Sequence, residues 1–186
     1  KRQDFDISTL TQVVAQRLKY PVFVKPVNLG SSIGISRVKT PDQLEAAVDT
    51  AFKYDTQLLI ETGIVGMEIE CAVMSIAGKV TAATPAEIEM KSEFYDYETK
   101  YFAPGCSRVI IPARVSTGLI KRIQEKTVKA FNALHMTGFA RIDFMYDTAT
   151  DTVCFMEGNP LPGFTEISGF PKMFGHDGMS QSSILT

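Results

Sequence analysis

The sequence predicts an α+β fold in two lobes. Short strand pairs that read as local hairpins are mixed with helices that stand apart from them. The character of the chain changes near residues 64–66, which reads as a lobe boundary with a cleft, dividing residues 1–65 from 66–186. The composition, 45% apolar and 22% charged over 186 residues, is that of a chain able to bury a core.

The elements follow in order. Ile7, Leu10, Val14 and Leu18 form a helical stripe with Asp6 or Ser8 as its cap, and Tyr20-Pro21 stops it. Val22 to Lys25 reads as a short buried strand. A loop with Gly30, Ser31, Ser32 and Gly34 leads to a second strand over 35–38. Thr40-Pro41-Asp42-Gln43 has the signature of a helix start, with a capping Thr, Pro at the first position and Gln three residues after the cap. The helix buries Leu44, Ala47, Val48, Ala51 and Phe52. A strand over 57–61 ends at Gly63 to Gly66. The run 67–75 alternates, with Ile69, Cys71 and Val73 on one face and Glu68 and Glu70 on the side of Met74. Ala77-Gly78 turns the chain into a strand around Val80.

Residues 91–107 have no period, and their aromatic and acidic side chains mark a loop with a function. Ser116 or Thr117 opens a long helix that ends at Thr137-Gly138. Strands over 139–146 and 152–157 form a hairpin about residues 147–151. A loop over 158–163 and a glycine-rich tail close the chain.

Several classes are excluded. A net charge of −2 argues against binding nucleic acid as the main activity, and no run is long and apolar enough for a membrane span. Cys71, Cys106 and Cys154 are too far apart for a C-x-x-C metal or redox pair, so Cys71 and Cys154 read as core residues in a reducing cytoplasm. His135 and His176 lie among neighbours that suggest no catalytic role. The chain starts Lys1-Arg2-Gln3-Asp4, without Met or an apolar leader, and reads as a piece of a longer protein.

Chemistry concentrates in three places. On the hairpin, alternation puts Arg141, Asp143 and Met145 on one face and Ala140, Ile142, Phe144 and Tyr146 in the core. On the returning strand Val153, Phe155 and Glu157 share a face by the same count. A turn near residue 149 makes Asp143 and Glu157 neighbours. Paired carboxylates with Asn159 nearby suit hard Mg²⁺; a solvated face neutralised by Arg141 is the alternative. The second place is Lys25 followed by Gly30-Ser31-Ser32-x-Gly34, whose small residues let main-chain N–H groups approach phosphate. It lacks the P-loop pattern, and an ordinary hairpin turn is the alternative. The third is the loop around Tyr95 to Tyr101, which a partner-binding surface also explains.

Together these segments resemble the D-alanine–D-alanine ligase family. The residues that carry the resemblance are Phe23-Val24-Lys25-Pro26, Gly30-Ser31-Ser32-x-Gly34, Glu68-x-Glu70-Cys71-Ala72-Val73, Glu93-Phe94-Tyr95-Asp96-Tyr97-Glu98-Thr99-Lys100-Tyr101, Arg141-x-Asp143 and Asn159-x-Leu161-Pro162-Gly163-Phe164-Thr165. They stand in that family's order and spacing, from about residue 20 to about residue 185.

The resemblance implies an ATP-grasp fold, two α+β lobes clamping ATP. It places Lys25 on the α- and β-phosphates, with Ser31 and Ser32 closing over them. Glu61 to Ile64 would flank adenine, Glu68 would take the ribose hydroxyls and Lys100 the γ-phosphate. Asp143, Glu157 and Asn159 would hold two Mg²⁺ ions, with Mn²⁺ as a substitute. Arg141 and the Gly163 N–H would stabilise an oxyanion, Ser168 would hold the second substrate's carboxylate, and Tyr101 would bond Ser31. The implied reaction joins two D-alanines through an acyl phosphate for peptidoglycan precursors, in the cytoplasm, in a whole protein expected to be a homodimer. Acceptors other than D-alanine (D-lactate or D-serine), or a nucleotide-binding module without ligase activity, are the alternatives. Two departures stand out. The family's usual Glu-x-Asn-Thr run here reads Glu157-Gly158-Asn159-Pro160, where Pro160 removes an N–H and stiffens the loop. Nothing corresponds to the family's N-terminal lobe.

Overall fold

The computed structural model describes residues 6–30, 32–90 and 107–185. It divides into two units, which meet in the chain between Ile64 and Val65. The expected loop around Tyr95 to Tyr101, together with Ser31, Lys100 and Cys106, lies outside the described residues.

The first unit is a three-stranded antiparallel sheet covered on one face by helices. Helix α1 runs Ile7–Arg17, and Asp6 settles the choice of cap by accepting from the Thr9 N–H at 2.9 Å. Strand β1 is Val22–Pro26, β2 is Ser36–Val38 and β3 is Leu58–Thr62, in the order β2-β1-β3. Val22, Val24 and Val38 pack under Val14 of α1 and under Leu44, Ala47, Val48 and Ala51 of helix α2 (Leu44–Ala51). The predicted capping box at Thr40 differs in detail. Pro41–Gln43 forms a short 3₁₀ turn, Thr40 makes no side-chain capping bond, and Gln43 reaches back to the Lys39 N–H at 2.8 Å. The glutamine thus satisfies a donor one residue before the cap.

The second unit is a six-stranded antiparallel sheet with a helix on each face. Its strands are β4 (Met67–Ile76), β5 (Lys79–Ala82), β6 (Ala86–Met90), β7 (Ser107–Ile110), β8 (Phe139–Asp147) and β9 (Thr152–Asn159). The order is β7-β6-β4-β8-β9, with β5 also paired to β4. Helix α3, Thr117–Ala133, lays Leu119, Ile123 and Phe131 on Ile69, Cys71, Val73, Ala140, Ile142 and Phe144. Helix α4, Gly169–His176, lays Phe170, Met173 and Phe174 on Ala72, Met74, Ala83 and Ala86. The sheet is therefore covered on both sides, and β4 is buried continuously from Ile69 to Met74. Burial pushes the Cys71 thiol up to about 12, as befits an inert core residue; Cys154 is only half-buried.

Two expectations are corrected here. The glycine-rich tail contains α4 and a short helix α5, Gln181–Leu185. Strands β6 and β7 are additional to the elements expected from the sequence. The apolar residues of α4 are Phe170, Met173 and Phe174, a helical spacing interrupted by Gly169, Pro171 and Gly175. The helix forms because that face completes a core with β4, which outweighs poor local propensity.

Ser116 caps α3 by accepting from the Leu119 N–H at 3.2 Å. Ser116→Ala should lower stability by about 1 kcal/mol. Urea unfolding followed by circular dichroism measures it, and a change below a few tenths would show that solvent satisfies the α3 terminus equally well.

Candidate functional site

The hairpin of β8 and β9 builds the centre of the site, and an irregularity in it sets the geometry. Asp143 pairs directly with Glu157, and Arg141 with Asn159. Between Asp143 and Phe144 the register shifts, so that Phe144 faces Phe155 and Met156 has no partner. Val153 and Phe155 therefore lie on the face of Phe144, whose ring meets that of Phe155 edge-on at 6.4 Å. Glu157 lies on the face of Asp143. Simple alternation puts Val153, Phe155 and Glu157 together on the face of Asp143; the bulge separates them, so Glu157 is beside Asp143 as expected while Val153 and Phe155 are on the opposite face. A bulge inserts one residue in one strand, which re-aims every side chain beyond it.

Strand β4 supplies a third acid. Glu70 is directly opposite Asp143, on the partner strand away from β9. Asp143 is 6% exposed and Glu70 8%, so the face is not the solvated one that the alternative reading required, although Glu157 at the sheet edge is exposed. Arg141 lies among them. Its Nε and Nη2 each donate to an Asp143 oxygen at 2.7 Å, a bidentate fork. Nε is also 3.4 Å from Glu70 Oε1. Burial works to discharge the guanidinium, but the Asp143 bond and the charges of Asp143, Glu70 and Glu157 outweigh it and hold the proton more firmly than usual. Three carboxylates thus surround one guanidinium.

The loop after β9 is ordered by its own side chains. Asn159 Oδ1 accepts from the Leu161 N–H at 3.1 Å, an Asx turn around Pro160. The turn uses the N–H of residue 161, so the donor that proline lacks is not needed here. Ser168, the residue before α4, bonds the Thr165 N–H at 3.1 Å and the Thr165 hydroxyl at 2.8 Å. A Cβ on Gly163 would sit 2.7 Å from Ser168 Oγ, so the two expected substrate residues are in contact. A Cβ on Gly169 would sit 2.9 Å from Glu70 Oε2. Glu70 thus joins Arg141 on one side to the start of α4 on the other. Sequence reasoning placed Glu70 in a motif without giving it a role; the available signal was a charged residue inside an apolar strand. Glu68, opposite Met145, is partly buried on the same face.

The first unit carries the other expected residues. Lys25 and Glu61 lie on adjacent strands and form an ion pair at 2.8 Å. Ser32 and Gly34 have φ of 61° and 73°; such left-handed conformations turn successive N–H groups toward one side of a loop. Ile64 closes the unit. Lys25, Ser32, Glu61 and Ile64 thus belong to one unit, and Glu68, Arg141, Asp143, Glu157, Asn159, Gly163 and Ser168 to the other.

Among the described residues, no three His, Cys, Asp or Glu side chains form a metal cage. The donors on the hairpin are instead two acids and an amide. That set fits Mg²⁺, which uses one or two carboxylates and completes its shell with water and phosphate.

Comparison with known proteins places this arrangement. The structure aligns with a D-Ala:D-Ser ligase, VanG, from Enterococcus faecalis, at a TM-score of 0.86 and 37% identity, over 98% of this chain and 52% of that one. It aligns with the D-alanine–D-alanine ligase of Coxiella burnetii at a TM-score of 0.81 and 33% identity, over 98% of this chain and 47% of that one. A D-alanine–D-alanine ligase A of Bradyrhizobium diazoefficiens is 44% identical over 182 residues, 97% of this chain and 48% of that protein. The fold is the ATP-grasp fold of these ligases. The family model described as D-ala D-ala ligase C-terminus matches residues 1–186, and the chain belongs to that family, as its C-terminal part. It spans about half the length of the curated relatives it matches.

Among the described residues no helix is long and apolar enough to cross a membrane.

Proposed function

We propose that the chain is the ATP-binding catalytic part of a ligase that joins two D-alanines in the cytoplasm for peptidoglycan precursors. The observation that carries the reading is the cluster of Arg141, Asp143, Glu70 and Glu157, with Asn159 beside it and Gly163 and Ser168 in contact. The small lobe is residues 1–65 and the large lobe 66–186, a division one residue from the break between Ile64 and Val65.

In the reaction, the γ-phosphoryl group of ATP passes to the carboxylate of the first D-alanine. The amine of the second attacks the resulting acyl phosphate, and phosphate leaves. Lys25 and the loop carrying Ser31 and Ser32 bind the α- and β-phosphates. Glu61 to Ile64 flank adenine, Glu68 takes the ribose hydroxyls and Lys100 the γ-phosphate. Two Mg²⁺ ions, or Mn²⁺ in their place, would be held by Asp143, Glu157 and Asn159 and would neutralise triphosphate charge. Arg141 keeps its charge at any working pH and, with the Gly163 N–H, offers donors where negative charge develops on the attacked carbon. Ser168 orients the acceptor carboxylate. Tyr101 would bond Ser31 and help to exclude water from the acyl phosphate. The whole protein acts as a homodimer, without nucleic acid or membrane as partner.

The test is product analysis with the whole ligase, ATP, Mg²⁺ and an equal mixture of D-alanine, D-serine and D-lactate. D-Ala-D-Ala, ADP and phosphate in equal amounts are expected. A majority of D-Ala-D-Ser would move the reading to the specificity named for the E. faecalis neighbour. Residues 1–186 alone should bind Mg-ATP and form no dipeptide. Losing one substrate-positioning surface forfeits much of an advantage worth roughly 7–11 kcal/mol. Dipeptide formed by these residues alone would mean that the first substrate site lies within them.

A further inference from the structure

The turn between α2 and β3 holds the glycine loop at two points. At the start of the loop, Asp55 Oδ2 accepts from the Asn28 main-chain N–H at 2.7 Å and from its side-chain amide at 2.9 Å. The other oxygen, Oδ1, accepts from the N–H groups of Thr56 at 2.6 Å and Gln57 at 3.2 Å. The carboxylate is thus held by its own turn and in turn holds Asn28. The Asn28 N–H, first among these donors, keeps the Asp55 carboxyl below the usual carboxylate range. At the end of the loop lies Gly34, with φ of +73°. A Cβ there would sit 2.7 Å from Tyr54 Cδ2 and 2.8 Å from Pro26 Cγ. Tyr54 is 53% exposed, so burial in the core does not account for its position, and its ring packs beside Gly34. Between the two points, turn bonds run from the Ile33 N–H to the Gly30 carbonyl at 3.2 Å and from the Ile35 N–H to the Ser32 carbonyl at 3.3 Å.

We propose that Tyr54 and Asp55 are positioning residues that hold the loop between Asn28 and Gly34 in a phosphate-binding shape. The proposal rests on the reading of this loop as the one that takes the phosphates of ATP. A loop already held in its bound shape binds without a further ordering cost. Neither residue touches the nucleotide; both act through the loop backbone.

The test uses the whole ligase with Asp55→Ala, Asp55→Asn and Tyr54→Ala, and Lys25→Ala beside them. The measurements are the KM for ATP and for D-alanine, the melting temperature, and amide hydrogen exchange at Asn28 to Gly34. Asp55→Ala should raise the ATP KM about tenfold, the factor that one lost hydrogen bond to a charged group carries. It should also speed exchange in the loop, with the D-alanine KM unchanged and the melting temperature lowered by no more than a few degrees. Asp55→Asn, which retains one acceptor oxygen, should recover part of the loss without requiring a refolded turn, and Tyr54→Ala should act in the same direction. Faster exchange with an unchanged ATP KM would overturn the proposal, while a raised ATP KM in Lys25→Ala would leave the phosphate reading standing. Unchanged exchange in all three variants would overturn it as well. An unchanged ATP KM in Lys25→Ala would sink the phosphate reading and the proposal with it.

Discussion

Arg141→Ala should destabilise the second unit by about 3–5 kcal/mol, the usual result of removing one partner from a buried ion pair. Asp143 and Glu70, 6% and 8% exposed in the parent structure, would lose their common cation. Arg141→Lys should recover little, because an ammonium cannot copy the fork that meets both Asp143 oxygens at 2.7 Å. In the whole ligase either change should lower the rate of dipeptide formation by about 10²–10³, the size of effect that losing one oxyanion donor has elsewhere. Urea unfolding and steady-state rates measure the two effects separately. A loss of stability below about 1 kcal/mol would match an exposed pair rather than a buried one and would mean that water reaches these carboxylates.

Glu157→Gln should have the second largest effect, this time with the fold intact. Glu157 is exposed at the sheet edge, and Asp143 and Glu70 still balance Arg141 in its absence, so the fold does not depend on its charge. If it binds Mg²⁺, its loss should cost several kcal/mol of charge stabilisation at the phosphates. The expected result in the whole ligase is a fall in ATP turnover of about a hundredfold or more, partly recovered at high Mg²⁺. Asp143→Asn should be at least as severe and should also weaken the Arg141 fork. Glu45→Gln on the outer face of α2 serves as the control. Turnover within a few-fold of the parent in both site variants would return the hairpin to a purely structural role.

The helices and the hairpin were legible because each has a local cause. Asp6 and Ser116 are caps whose bonds form within three residues, and the stripes of α1, α2 and α3 repeat at helical spacing. The loop of residues 147–151 announced the hairpin and brought Asp143 close to Glu157, but the direct pairing of the two comes from the bulge at Met156. Strands β6 and β7 and helix α4 were not legible. Their stability comes from neighbours distant in sequence: β4 beside β6, and the Ala72, Met74 and Ala86 surface under α4. Glu70 escaped for a related reason. Its register against Asp143 depends on the pairing of β4 with β8, strands separated by some seventy residues.

From the sequence alone came the residue types and their order: the fork-forming arginine two residues before an acid, the Asn-x-x-Pro-Gly run, and the small residues after Lys25. These depend on chemistry that a side chain carries wherever it is placed. The face that each residue occupies was decided by the tertiary structure. Counting by twos put Glu157 beside Asp143 but carried Val153 and Phe155 along to the same face; one unpaired residue, Met156, leaves Glu157 with Asp143 and sends the other two to the face of Phe144. Strand alternation is a local rule, while a bulge answers to the packing of both strands at once. Phe155 stays with Phe144 on the α3 face, and Glu157 joins Asp143 on the face that carries the charges.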